Sequence, residues 1–215
     1  MSGPCVSAFD WVPDFARGLV RDLRVRWALE EAGIAYDSDL KNFEESKGPA
    51  YRQWQPFGQV PAYDDGQVRM FESGAIVTHI ALGSEALMPR DEAGRARALT
   101  WIFAALNSIE PGVSQLAETD LFHEGEDWTK ERRPQVEEEL RQRLGELSAQ
   151  LNGRDWLEDR FTAGDLMMST VLRNLRQTSI LNDYPVLTAY QHRCEARPAF
   201  QRALAAQLGD FKEAA

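Results

Sequence analysis

The stretch QVPAYDDGQVRMFESGAIVTHIAL, Gln59 to Leu82, decides how the first half of the chain folds. It reads as two short extended runs around a turn, followed by a helix. Asp65-Gly66 suits a type I′ hairpin, whose two central positions need positive φ. Val60-Pro61 leads into the first run. Proline cannot donate to a ladder, so it belongs at a strand start or on an edge. Two readings of this bond are open. A trans bond simply begins a strand. A cis bond turns the chain sharply and presents the Val60 N–H and C=O to an extended, peptide-like ligand. The helix is expected from Ser73 to about Leu82. Ser73 can be a plain N-cap with Glu72 solvated. Alternatively, the first-turn N–H groups and the Ser73 hydroxyl make a carboxylate site, and Glu72 meets an ammonium group.

Upstream, CVSAF (Cys5–Phe9) reads as a buried strand. A helix is expected from about Phe15 to Ala32, closed by Gly33. IAYDSDL (Ile34–Leu40) alternates as a second strand should. The order β-α-β, hairpin, helix predicts a small mixed sheet with helices packed on it. Downstream of about residue 85 the pattern turns helical. Ala96, Leu99, Phe103 and Leu106 recur at spacings of three and four, as do Val136, Leu140, Leu144, Leu147 and Leu151. In FTAGDLMMS, Thr162 and Asp165 form a capping box flanked by Phe161 and Leu166 as a staple. Pro185 and Pro198 open two further helices.

Composition bounds the function. The chain has 215 residues, a net charge of −10, 43% hydrophobic and 27% charged residues. Its pI of about 4.9 argues against binding that depends on neutralising phosphates, and against anionic membranes. An anionic ligand must then be held by a local basic site. MSGPCVSAFDW lacks the basic start and apolar centre of a signal peptide. Cys5 and Cys194 have no metal-like or CxxC spacing, and reduced thiols in the cytoplasm are expected. The segment His123–Asp127 lacks the spacing of a zinc site and reads as a solvated loop. His79 and His192, isolated in helices, carry no catalytic signal, and no metal is expected.

RVRWALEEAGI, PFGQVPAYDDG, FESGAIVTHIA and FTAGDLMMS occur in an order and spacing that resemble the cytosolic glutathione S-transferases. The likeness spans nearly the whole chain. It implies a thioredoxin-like N-terminal domain, about residues 1–84, and an all-helical C-terminal domain, about 90–215. It implies a cis Val60-Pro61 bond, a homodimer, and glutathione as co-substrate. By this resemblance Val60, at Pro61, would pair with the cysteinyl part of glutathione. Glu72 and Ser73 would take the γ-glutamyl end, and Gln59 would approach the glycine carboxylate. The implied activity is attack of the activated thiol on small hydrophobic electrophiles. Peroxide reduction, dehalogenation and isomerisation start from the same thiolate. A glutathione- or partner-binding protein of little turnover is the alternative on this scaffold.

The family usually activates the thiol with Tyr, Ser or Cys near the end of the first strand or the start of the first helix. Here Leu19, Val20, Arg21 and Asp22 hold those positions, Cys5 and Ser7 come too early, and no tyrosine precedes Tyr36. In this the chain resembles some bacterial members, including the eta branch. Backbone N–H groups from Phe15 to Gly18, with Arg17, are the candidate substitute. A helix starting near Phe15 would aim its positive end there, and Gly18 would let a ligand approach. Alternatively, Arg17 and Arg21 only pair with Asp14 and Asp22. Arg24 and Arg26 read as ordinary helix positions. Trp11, Trp101, Ala105 and Ser108 are candidates for the electrophile pocket, Trp101 being equally a core residue. Arg173 and Arg176 are read mainly as surface pairs.

Overall fold

The computed structural model describes residues 3–212. Its chain divides into two compact units. One runs up to Arg90 and adds the stretch from Ala196 onward; the other spans Asp91–Glu195. The boundaries expected from sequence, 1–84 and 90–215, treat the C-terminal half as one continuous domain. By its contacts the stretch from Ala196 onward packs with the first unit.

The first unit holds a four-stranded sheet in the order β2-β1-β3-β4. Strand β1 (Cys5–Phe9) runs parallel to β2 (Asp37–Lys41) and antiparallel to β3 (Ala62–Asp64). Strand β4 (Arg69–Phe71) closes the hairpin with β3 in the register Ala62↔Phe71. Helix α1 (Asp22–Ala32) joins β1 to β2, and Gly33 ends it in the left-handed conformation. Two short helices that the sequence reading left unassigned follow: α2 (Phe43–Lys47) and α3 (Pro49–Arg52). Their signal was present. Asn42 and Glu45 form a reciprocal capping box at α2, and Pro49 opens α3. Helix α4 spans Ser73–Leu82, as expected.

The hairpin forms, but not by a type I′ turn. Among non-glycine residues with described backbone, only Glu72 has positive φ, so Asp65 does not meet that turn's demand. Four residues, 65–68, join the strands. The Asp65 carboxylate accepts from the N–H groups of Gln67 and Val68 and organises the loop itself.

The second unit is helical: α5 (Glu92–Ala104), α6 (Glu110–Ala117), α7 (Asp127–Leu151), α8 (Ala163–Arg173) and α9 (Pro185–Glu195). The apolar stripe expected on α7 is buried throughout. The one expected on α5 is not. Phe103 is 58% exposed, and the buried positions are Gly94, Ala98, Ile102, Ala105 and Ile109. Gly94, Ala98 and Ala105 on this face are small, and α8 comes very close here. A Cβ on Gly164 would stand 2.5 Å from the Trp101 Cβ.

The α8 cap is as read and does more than cap. Asp165 accepts from the Thr162 N–H at 2.9 Å, and its other oxygen accepts from the Leu157 N–H and the Tyr190 hydroxyl. Burial pushes its pKa up, while these bonds pull it down. Every residue from Ala163 to Leu172 is buried.

The last helix, α10 (Pro198–Asp210), packs on α1 in the first unit. Trp27 meets Phe200 edge-on at 4.8 Å. Arg197 holds Glu31 with two bonds, and Arg202 reaches Glu30. No helix among the described residues is long and apolar enough to cross a membrane.

Candidate functional site

The site is built around β3. The Val60-Pro61 bond is cis. Three groups fix the backbone on both sides of it. The Ala62 N–H donates to Ser7 Oγ at 2.6 Å, and the Tyr51 hydroxyl donates to the Gln59 carbonyl at 2.7 Å. Ser7 Oγ and the Tyr51 oxygen lie 2.7 Å apart. Tyr51 has one proton, already given to Gln59, so Ser7 is the donor between them. Ser7 is fully buried and Tyr51 nearly so. Burial pushes the Tyr51 pKa up, and the phenol stays a donor. This relay from β1 through α3 holds the loop rigid. Gly58 is obligatory in it: φ is +63°, and a Cβ would meet the Ser46 carbonyl oxygen at 2.7 Å.

Val60 follows this frame, its side chain buried against Tyr51 and Ala62. Neither its N–H nor its C=O has a hydrogen-bond partner among the described residues. A buried chain satisfies such groups, so this pair is placed for a strand-like ligand. Gln59 beside it is exposed.

Next along the chain, Glu72 takes φ 69° and ψ 111° and is the N-cap residue of α4. Such a conformation costs a non-glycine residue about 1–3 kcal/mol and marks functional sites. Glu72 makes no side-chain cap bond, so no side chain closes the first turn of α4. Ser73 is therefore the first helical residue rather than the cap. It is 5% exposed, and its Oγ accepts from Arg24 Nη1 at 3.2 Å. Arg24 is 2% exposed. Arg24 holds the ordinary helix position expected of it in α1, but it is buried, and its guanidinium stands behind Ser73. Together, an uncapped helix N-terminus, a serine hydroxyl and a buried cation suit a carboxylate. Arg26 is also buried. It pairs with Asp22 at 2.7 Å and Asp210 at 2.6 Å.

The loop from β1 to α1 differs from the expectation. Asp14–Ala16 forms a single 3-10 turn, and α1 begins only at Asp22. Gly18, with φ +75°, breaks the helical path between them. No helix N-terminus therefore points from Phe15, and the dipole contribution expected there is withdrawn. Arg17 faces Asp14 at 3.3 Å, donates to the Lys212 carbonyl at 3.2 Å and lies over the Phe211 ring. The alternative pairing with Asp14 is thus formed. Asp22 pairs with Arg26, and Arg21 is exposed.

The N-terminal part, residues 16–82, matches the family model described as glutathione S-transferase, N-terminal domain; residues 115–207 match glutathione S-transferase, C-terminal domain. The chain belongs to the glutathione S-transferase family. A glutathione S-transferase of Silene vulgaris is 29% identical over 75% of this chain and 80% of its own length. Glutathione S-transferase 1 of Zea mays is 28% identical over 85% of this chain and 90% of its own. A glutathione transferase structure from Burkholderia graminis, with two glutathione molecules bound per subunit, superposes with a TM-score of 0.83 at 26% identity. That match covers 95% of this chain and 88% of that one.

The glutathione S-transferase fold gathers the expected glutathione residues Gln59, Val60, Pro61, Glu72 and Ser73 around β3 and the start of α4. The expected electrophile residues fare differently. Trp11 is 49% exposed. Trp101 is half-buried, and its Nε1 donates to Glu158 at 3.0 Å. Ala105 is fully buried and offers no surface to a ligand. Ser108 is exposed but lies in a π-helical turn, Ala105–Ile109. The wider turn breaks the four-and-three spacing that placed it on one face with Trp101. A cavity of about 170 Å³ in the helical unit is lined instead by residues such as Val113, Leu116, Asp120, Asn174 and Leu175. Arg173 pairs with Glu195 at 2.7 Å, but the pair is half-buried rather than on the surface that was expected. His123 pairs with Glu126 and Glu118. Arg24 and Tyr51 were missed by sequence reasoning. Arg24 looked like one helix charge among four, and only tertiary packing distinguishes it.

Proposed function

We propose that this glutathione transferase binds glutathione along β3 and hands its thiolate to small hydrophobic electrophiles. The observation that carries this is the Val60 peptide, whose N–H and C=O have no partner among the described residues, with the uncapped, Arg24-backed start of α4. The cysteinyl residue would pair with Val60 as an added strand. The γ-glutamyl carboxylate would sit at Ser73 and its ammonium at Glu72, with Gln59 near the glycine carboxylate. The thiol, with an ordinary pKa near ~8.5, must ionise to react. Its sulfur then bonds the electrophilic carbon as the leaving group departs with the bond's electrons. Calorimetric titration with glutathione tests the binding, and turnover of an aryl chloride such as chlorodinitrobenzene tests the reaction. Absence of heat on titration would sink the proposal.

The low-turnover binding protein is a second reading with its own support. Residues 10–21 contain no hydroxyl or thiol, and Arg17 is engaged by Asp14 and Lys212. Binding without turnover across the pH range would select it. We further propose a homodimer with a cytoplasmic, detoxifying role. Phe57 and Phe103, 60% and 58% exposed, are apolar surface that a second copy would cover.

A further inference from the structure

The three parts of the proposed tripeptide site are built unequally. The γ-glutamyl end has the most: the uncapped first turn of α4, the Ser73 hydroxyl with the buried Arg24 guanidinium behind it, and Glu72 at positive φ. The cysteinyl part has the Val60 N–H and C=O, with Tyr51 and Ser7 fixing the backbone on either side. The glycine end has Gln59, a neutral and exposed side chain.

Two cations stand next to Gln59, and both serve the loop itself. Lys47 and Arg52 pack on Gly58: a Cβ there would lie 3.1 Å from Lys47 Cδ and 3.4 Å from an Arg52 guanidinium nitrogen. Lys47 Nζ donates to the Gly58 carbonyl at 2.6 Å and lies 5.0 Å from the centre of the Phe43 ring. Arg52 donates to the carbonyls of Lys47 and Pro56, each at 3.0 Å. The Gln59 N–H is taken as well, by Gln55 Oε1 at 3.1 Å, and Gln55 is buried. An exposed neutral amide gains little from a carboxylate, because water competes for both. Bonds assisted by a shielded charge are stronger. The capacity to discriminate therefore sits at the γ-glutamyl end.

We propose that the protein takes γ-glutamylcysteinyl thiols as a class, with the third residue open: glycine, β-alanine or none. The inference rests on the proposed glutathione site and states what that site selects. A site rejects a ligand most strongly when its own polar groups are left unpaired. A thiol without the γ-glutamyl group leaves the start of α4 without its anion and Glu72 without its cation. A thiol without glycine leaves only the Gln59 amide, which water satisfies.

The test is calorimetry on the full chain with glutathione, γ-glutamylcysteine, γ-glutamylcysteinyl-β-alanine and cysteinylglycine. The second and third thiols should bind within about tenfold of glutathione, and cysteinylglycine more than about tenfold more weakly. A loss of more than about tenfold for γ-glutamylcysteine overturns the inference and leaves the glutathione site standing. So does cysteinylglycine binding as tightly as glutathione. No binding of glutathione itself overturns the proposed function and the inference with it. Lys47→Met checks the role given to the lysine. It should change the affinities for glutathione and γ-glutamylcysteine by the same factor, because the lysine acts through the Gly58 carbonyl. A loss confined to glutathione puts the ammonium on the glycine carboxylate and overturns the inference.

Discussion

At the scale of single residues, the proposed glutathione site lies where the backbone is held in unusual states. Val60 at a cis bond, Gly58 and Glu72 at positive φ, and Ser73 on a buried arginine fall within one short run. Ser73→Ala is expected to weaken glutathione binding about tenfold, the loss of one hydrogen bond to a charged group; calorimetry checks it. Arg24→Met should weaken binding in the same direction while the protein stays folded, because methionine fills the space but supplies no cation. Asp65 gives a pH test. Its carboxylate is pulled down to about 2, first by the Val68 N–H, then by His79 and the Gln67 N–H. A depressed folded pKa adds stability above the ordinary carboxylate value and loses it as pH falls through about 2. The drop in Tm from pH ~5 to pH ~2 should therefore be smaller in Asp65→Asn than in the parent.

Elements were legible to the extent that local rules governed them. The Cys5–Phe9 strand, the Ser73–Leu82 helix, the α7 stripe and the α8 capping box needed only periodicity and cap chemistry. The start of α1 and the face of α5 did not follow. Gly18 took a left-handed conformation that sequence permits but does not require. Gly164 let α8 approach α5 closely, and the face with Ala98, Ile102 and Ala105, not Phe103, went inside. Two variants separate the stripes. Ile102→Ala should cost about 2–4 kcal/mol in urea unfolding, and Phe103→Ser under about 1 kcal/mol in a monomer. Asp165→Ala leaves the Leu157 N–H and the Tyr190 hydroxyl buried without their acceptor. A loss of about 3 kcal/mol is expected by the same measurement.

For the whole molecule, helix α10 decides more than its place in the sequence suggests. Helix α10 returns to the first unit and fastens α1 through Phe200, Arg197 and Asp210. Light scattering at micromolar concentration should report a dimer that Phe57→Ser with Phe103→Ser converts to monomer. The sequence by itself determined the family, the mixed sheet followed by helices, and the run Gln59–Ser73 proposed to bind glutathione. Those rest on short-range patterns: a proline before a strand, a cap before a helix, an apolar residue every third or fourth position. Only the tertiary structure decided that Arg24 stands behind Ser73, that Tyr51 and Ser7 hold the Val60 loop, and that Lys212 reaches Asp10. Each joins residues dozens to hundreds of positions apart, and no local preference of either partner encodes the meeting.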